Sequence, residues 1–329
     1  MAHKVVVIGS NSFSGATFID YLLERGEEVI GMSRSPEPSH AMLPYKWRDH
    51  VAFRFLQLDL NCDLGAMMDV IHDFRPNYVV NFAAQSMVAE SWHNPDHWFM
   101  TNVVSTVRLH EQLRHCQFLQ TYVHATTPEV YGSTSGYVGE SAPFRPSTPY
   151  AVSRAAADMS LRTYYEAYGF PVVFTRAANV YGPGQQLYRI IPRTILFILL
   201  GKKLQLHGGG QSRRAFIYGQ DVADATWRIA TQGVLGEAYH ISTMEVITIR
   251  ELVERICTKL GVSFDTSVEI VGERLGKDAA YMLDSTKLRQ TLGWRDRISL
   301  DRGLDECITW VQRHFDELRH QEFDYVHKP

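Results

Sequence analysis

The first half of the chain alternates short β-branched runs with longer stretches of helical spacing. Val5-Val6-Val7-Ile8 is apolar throughout, the mark of a strand buried on both faces. Ser14 to Arg25 sets Phe18, Tyr21, Leu22 and Leu23 near one helical face, and Gly26 stops it. Further strands are predicted at Glu28 to Met32, Phe53 to Leu56, Tyr78 to Asn81, Thr121 to His124 and Pro171 to Thr175. Helices are predicted at Asp63 to Phe74, near Asp96 to His115, and at Tyr150 to Tyr168. Strands separated by helices of this length need crossover connections, and therefore pair in parallel. The pattern predicts an α/β fold built on a doubly wound parallel sheet.

After Asn179-Val180-Tyr181-Gly182-Pro183-Gly184 the rhythm changes. Gly and Pro cluster at 182–184 and glycines at 208–210, and the strand signals shorten. Asp221 to Gln232 reads as a helix returning to the large domain, followed by a strand at Ala238 to Ile241. The expected organisation is a large domain over 1–180 plus about 219–245. A smaller C-terminal substrate-binding lobe takes 181–218 and 246–329.

Composition narrows the class. In 329 residues, 45% are hydrophobic, enough for a packed core. The net charge of −3, with both signs interspersed, offers no basic surface for nucleic acid. Cys62, Cys116, Cys257 and Cys307 are too far apart in sequence for a Cys-x-x-Cys metal or redox pair, so no metal site is expected. The apolar run Ile195 to Leu200 is far short of the roughly 20 residues that span a bilayer. These features read as a soluble, cytoplasmic chain without a membrane partner.

Gly9-Ser10-Asn11-Ser12-Phe13-Ser14-Gly15 lies between the first strand and the first helix, where the dinucleotide fingerprint of a Rossmann-type sheet belongs. Glycines let the backbone approach a pyrophosphate, and the helix N-terminus favours its charge. At the end of the second strand an acid would bind the adenine ribose of NAD. The run here is Gly31-Met32-Ser33-Arg34-Ser35, with donors for a 2′-phosphate and no acid, which favours NADP over NAD. Tyr150 and Arg154 stand four residues apart on a predicted helix and share one face. A nearby cation makes a phenol a more usable base. Thr127, at the end of a predicted strand, adds a hydroxyl.

In this order, these segments resemble the extended short-chain dehydrogenases/reductases, and among them the enzymes that modify nucleotide sugars. The family carries three glycines in the first turn, where this chain has Gly9, Ser12 and Gly15, and a lysine where it has Arg154. The resemblance implies a tightly bound nicotinamide dinucleotide, regenerated in each cycle. Contacts are implied from Gly9, Asn11, Ser12, Phe13, Ser14, Gly15, Ser33 and Arg34, and from the adenine-binding pair Asp59-Leu60. Further contacts are implied from the loop Phe82-Ala83-Ala84-Gln85, from Asn102 on the long interface helix, and from Thr126, Tyr150 and Arg154. For a nucleotide-diphosphate sugar it implies Ser86, Glu129, Asn179, Arg214 and Arg274, with Arg189 and Arg193 as further candidates.

The segment Thr126-Thr127-Pro128-Glu129-Val130-Tyr131-Gly132 is similar to that of the 4,6-dehydratases. In the dTDP-glucose type an aspartate precedes the glutamate; in the GDP-mannose type a serine does. The resemblance implies oxidation at carbon 4, loss of water across carbons 5 and 6, and hydride return to carbon 6. Thr127, Glu129, Tyr150 and Arg154 would carry the chemistry. Pro128 cannot donate a proton, which shifts acid–base work onto Glu129. The alternatives are a UDP-glucuronate decarboxylase, a nucleotide-sugar 4-epimerase, and a cofactor-binding member without activity. The family commonly dimerises through a four-helix bundle. Val103, Val107, Leu109 and Leu113, with Ala155, Ala156, Met159 and Leu161, would supply its apolar material.

Overall fold

Val5, Val6, Val7 and Ile8 are all buried, and their strand β1 (Lys4–Ile8) lies inside a seven-stranded parallel sheet. The computed structural model describes residues 2–49, 52–134, 136–272 and 282–328. After β1 come β2 (Glu28–Ser33), β3 (Phe53–Gln57), β4 (Tyr78–Asn81), β5 (Thr121–Thr126), β6 (Tyr137–Val138), β7 (Val172–Ala177) and β8 (Asn179–Tyr181). Then follow β9 (Leu204–His207), β10 (Arg213–Tyr218), β11 (Ala238–Ile241), β12 (Val246–Thr248), β13 (Val268–Val271) and β14 (Met282–Leu283). The large sheet has the order β11-β7-β5-β4-β1-β2-β3. Its strand order reverses between β1 and β4, and a doubly wound sheet opens a crevice at the carboxyl ends of the strands at such a point.

Most strands run one or two residues beyond the apolar runs in the sequence, because ladder pairing continues where side-chain alternation has ended. Register pairs such as Ser33↔Gln57 and Thr126↔Arg176 close these extra steps. One extension matters for the site: β5 reaches Thr126, so Thr127 is the first residue off the sheet edge.

The helices are α1 (Phe13–Leu23), α2 (Leu64–Phe74), α3 (Pro95–Phe99), α4 (Thr106–Leu113), α5 (Pro149–Tyr168) and α6 (Ile190–Leu199). They continue with α7 (Gly219–Gln232), α8 (Ile249–Lys259), α9 (Phe264–Ser267), α10 (Thr286–Leu292), α11 (Leu300–Arg313) and α12 (Phe315–Leu318). The helix expected near Asp96 to His115 is interrupted: α3 and α4 are joined by a π-helical turn, Met100–Ser105. The widened turn contains Asn102, whose side chain is fully buried and bonds away from its own helix.

Apolar clusters cover both faces of the sheet. One holds Val5, Val7, Phe18, Ile19 and Leu22 against α7 residues such as Ile229; the other holds Val6, Ile8, Met67, Ile71 and Leu161. A third core belongs to the C-terminal elements, where Ile191, Ile195, Leu252, Leu304 and Trp310 pack α6, α8 and α11 together. Two small sheets, β12-β10-β8 and β13-β9, edge this lobe, and the cleft runs between it and the carboxyl ends of the large sheet. Trp294, just past the end of α10, is buried, and its Nε1 donates to the Asp221 carbonyl at 3.0 Å. That bond ties the end of α10 to α7. No helix among the described residues is long and apolar enough to cross a membrane.

Candidate active site

Two adjoining cavities form one groove, with Ser12, Phe82 and Ala84 in the walls of both. The smaller, ≈ 220 Å³, lies along the ends of β1, β2 and β4. Its walls include Gly9, Asn11, Ser33, Arg34, Asp59, Leu60, Ala83 and Gln85. The larger, ≈ 670 Å³, lies between the sheet and the second lobe. Phe13, Ser14, Ser86, Thr126, Thr127, Tyr150, Arg154, Asn179, Arg189 and Arg214 line it.

The turn after β1 is made tight by two glycines. Gly9 has φ +82°, and a Cβ there would stand 2.6 Å from the amide nitrogen of Ala83. A Cβ on Gly15 would stand 2.2 Å from the Gly9 carbonyl. The middle position needs no glycine: Ser12 has φ −71°, caps α1 by accepting from the Gly15 N–H at 3.0 Å, and donates to the Gly9 carbonyl at 2.7 Å. The backbone cradle and the open N-terminus of α1 suit a pyrophosphate. Asn11 braces the next loop, donating to the carbonyls of Ser35 and Pro36 at 2.8 and 3.0 Å.

Asn102 corrects its expected role, because both ends of its amide are committed to protein. Its Oδ1 accepts from the Gln85 N–H at 2.9 Å, and its Nδ2 donates to the Gln85 carbonyl and to Ser153 Oγ at 3.0 and 2.9 Å. It lines neither cavity and clamps the loop after β4 to α5.

Tyr150 sits in the first turn of α5. Thr148 caps that helix by accepting from the Ala151 N–H at 3.1 Å, and Pro149 occupies its first position. Thr127 caps the short turn Pro128–Tyr131, its hydroxyl accepting from the Glu129 N–H at 3.3 Å. The same hydroxyl stands near enough to the Tyr150 phenol to favour its ionised form. Gly132 ends the turn at φ +66°, where a Cβ would meet the Arg145 carbonyl at 2.3 Å. Burial pushes the Tyr150 phenol up from its ordinary pKa. Arg154 opposes this, the Glu129 charge adds to it, and the Thr127 hydroxyl and Arg189 oppose it further.

Arg154 is 2% exposed. Its guanidinium donates to the Ala125 carbonyl and so also ties α5 to β5. Glu129 is half-buried and not in the cleft wall; its neighbour Pro128 takes that place. The carboxylate nevertheless acts on Tyr150 through its charge.

Arg193 is also corrected. It does not line the cleft, and its guanidinium holds the C-terminal segment through Asp324 Oδ1 at 2.9 Å and the Phe323 carbonyl at 3.0 Å. That segment went unrecognised in the sequence because it carries no motif. Tyr325 packs edge-on to Tyr188, and His327 stacks on Trp98 at 5.0 Å. The Lys328 carbonyl accepts from Gln85 Nε2 at 2.7 Å and from Arg34 at 3.1 Å. Residues 323–328 thus strap the second lobe to the rim of the smaller cavity. Tyr188, Gln185 and Gln186 also line the cleft without any sequence signal. Arg274 and its segment lie outside the described residues.

Comparison with known proteins agrees with this geometry. The model of the family described as GDP-mannose 4,6 dehydratase matches residues 6–307. A probable dTDP-glucose 4,6-dehydratase of Sinorhizobium fredii is 31% identical over 323 residues, covering 93% of this chain and 92% of that protein. The solved DesIV dTDP-glucose 4,6-dehydratase of Streptomyces venezuelae, with NAD bound, superposes with a TM-score of 0.88 at 31% identity. The match covers 95% of this chain and 98% of that one. A dTDP-glucose 4,6-dehydratase of Bacillus anthracis in complex with NAD gives 0.86 at 29% identity, covering 96% and 98%. With the glycine cradle, the Thr127–Tyr150 pair and these matches together, the chain belongs to the GDP-mannose 4,6-dehydratase family of extended short-chain dehydrogenases/reductases.

Proposed function

We propose that this protein is a nucleotide-sugar 4,6-dehydratase that makes a 4-keto-6-deoxy sugar nucleotide. The observation that carries the reading is that Thr127 and Tyr150 share the cleft wall, with the Glu129 carboxylate close enough for its charge to act on the phenol. A nicotinamide dinucleotide, when bound, supplies hydride uptake and return. Gly9, Ser12, Ser14 and the loop Phe82–Gln85 would hold it, with Asp59 and Leu60 at the adenosine end. The absence of an acid after β2, with Ser33 and Arg34 in its place, favours NADP, whereas the solved relatives named above carry NAD.

Tyr150 takes the proton of the carbon-4 hydroxyl, and Thr127 bonds the same oxygen. Arg154 and Arg189 make the phenolate less costly in a site that burial makes hostile to it. Once carbon 4 is a carbonyl, the proton on carbon 5 is acidified and Glu129 removes it. Pro128 has no proton to give, so Glu129 returns its newly acquired proton to the departing carbon-6 hydroxyl. Arg189, Arg214 and Asn179 stand in the cleft where they would hold the substrate's charged half.

The faces of the π-turn and α5 support a homodimer. Leu109, Leu113, Ala155 and Leu161 turn into the core, but Met100, Val104, Val152 and Met159 remain exposed. These four make an apolar stripe across the π-turn and α5 that a second copy would cover.

Incubation with a panel of nucleotide sugars in heavy water should give one product lighter by a water, with deuterium at carbon 5. Loss of carbon dioxide or an isomer of unchanged mass would instead mean decarboxylation or epimerisation. The dinucleotide released on denaturing the same sample should be NADP, and NAD alone overturns that choice.

The carbon-4 step needs phenolate, so its rate rises with pH until the Tyr150 pKa is passed. Arg154→Gln should move that rising limb up by about one pH unit, and Glu129→Gln should move it down. Both are read from nicotinamide absorbance on mixing with substrate.

Arg214→Ala should raise KM for the nucleotide sugar by about tenfold, as expected for losing a charge-assisted bond. Arg193→Ala should leave it within about twofold, because that side chain is spent on the C-terminal segment. Sedimentation should report a dimer, and Met159→Glu should shift it toward monomer by burying a charge in the stripe.

A further inference from the structure

Beneath the cleft lies a buried polar chain that the chemistry above does not use. Tyr150, Arg154 and Asp158 follow one another at intervals of four along α5 and so share a face. Asp158 and Arg176, on β7, are both 3% exposed, with Arg176 donating to Asp158 Oδ2 at 2.7 Å. His124 Nε2 lies 3.6 Å from the other oxygen. The second arm of Arg176 donates to the Tyr131 hydroxyl at 3.1 Å, and that hydroxyl lies 2.8 Å from His240 Nε2.

The proton positions follow from the partners. His240 Nδ1 is 3.2 Å from the Asp284 carbonyl, which can only accept, so the ring proton sits on Nδ1. Burial lowers the His240 pKa to about 3, keeping the ring neutral near pH 7. Its Nε2 therefore accepts from Tyr131, and Tyr131 in turn accepts from Arg176. The phenol hydroxyl is satisfied on both sides.

A buried ion pair is a weak source of stability, because desolvation offsets much of its attraction. This one links the helix bearing Tyr150 to the last residue of the turn Pro128–Tyr131, two residues past Glu129. Thr127 is attached differently, at the end of β5, and Tyr150 is set by the Thr148 cap.

We infer that Tyr131 is a positioning residue that fixes the Glu129 turn relative to Tyr150 through Arg176 and Asp158, and so serves the elimination step and not the oxidation. The inference rests on the reading of Glu129 as the base at carbon 5. Tyr131→Phe removes one oxygen from the core without changing the ring, and the turn then loses the two polar tethers made by that hydroxyl, keeping its backbone bond from Arg145 to the Val130 carbonyl. Misplacement of a base by about 1 Å costs on the order of a hundredfold in rate.

The test compares the two half-steps in the holoenzyme, using the nucleotide sugar that the panel identifies. In Tyr131→Phe, nicotinamide absorbance on mixing should rise within about threefold of the parent rate, while deuterium incorporation at carbon 5 falls at least about tenfold. His240→Leu should show the same split, and His240→Gln, which keeps an acceptor, should restore exchange. Equal loss of both half-steps, or loss of neither, overturns the inference. Glu129→Gln measured alongside separates the claims. If it keeps exchange, Glu129 is not the base and the inference falls with that assignment. If it abolishes exchange while Tyr131→Phe retains it, only the positioning role falls.

Discussion

Everything in this site depends on how closely the backbone after β1 approaches the loop after β4. The two strands are neighbours at the point where sheet order reverses, and their loops face each other across the crevice. Gly9 packs so tightly against Ala83 that a single methyl would force the loops apart. Gly15 then lets α1 come down onto the same turn. Ser12 shows which part of the familiar glycine pattern is structural necessity. The middle position has an ordinary φ, so a side chain is tolerated there and works as a helix cap.

The second constraint is electrostatic. Burial opposes a phenolate at Tyr150, and the site answers with Arg154, Arg189 and the Thr127 hydroxyl. Glu129 works against them, since a carboxylate near the phenol holds its proton on. Glu129 is set behind Pro128, on a turn capped by Thr127 and closed by Gly132, which keeps its carboxylate off the cleft wall that Tyr150 lines. Arg154 does two things at once, since it supplies charge to Tyr150 and bonds the backbone of β5.

Much of this was legible because it is local. The β-branched runs, the glycine turn and the Tyr150 helix each express steric or capping rules over a few residues, and each stands where the pattern put it. Residues read by position alone fared unevenly. Arg189 and Arg193 lie one helical turn apart at the start of α6, yet one lines the cleft and the other clamps Asp324. Asn102 stands at the expected place, but a π-turn directs its amide to Gln85 and Ser153. The strap of residues 323–328 gave no signal, because aromatic stacking and a single carbonyl acceptor impose no pattern on sequence.

By itself, then, the sequence determined the parallel α/β sheet, the glycine turn and the hydroxyl–phenol–carboxylate set, since these follow from short-range sterics and from side chains whose chemistry is their own. Only the tertiary structure decided which arginines face the cleft, that Asn102 is a clamp, and that Tyr131, Arg176 and Asp158 join β7 and α5 behind Glu129. Those outcomes depend on contacts between residues far apart in the chain, and burial, hydrogen-bond partners and pKa have no value until such contacts form.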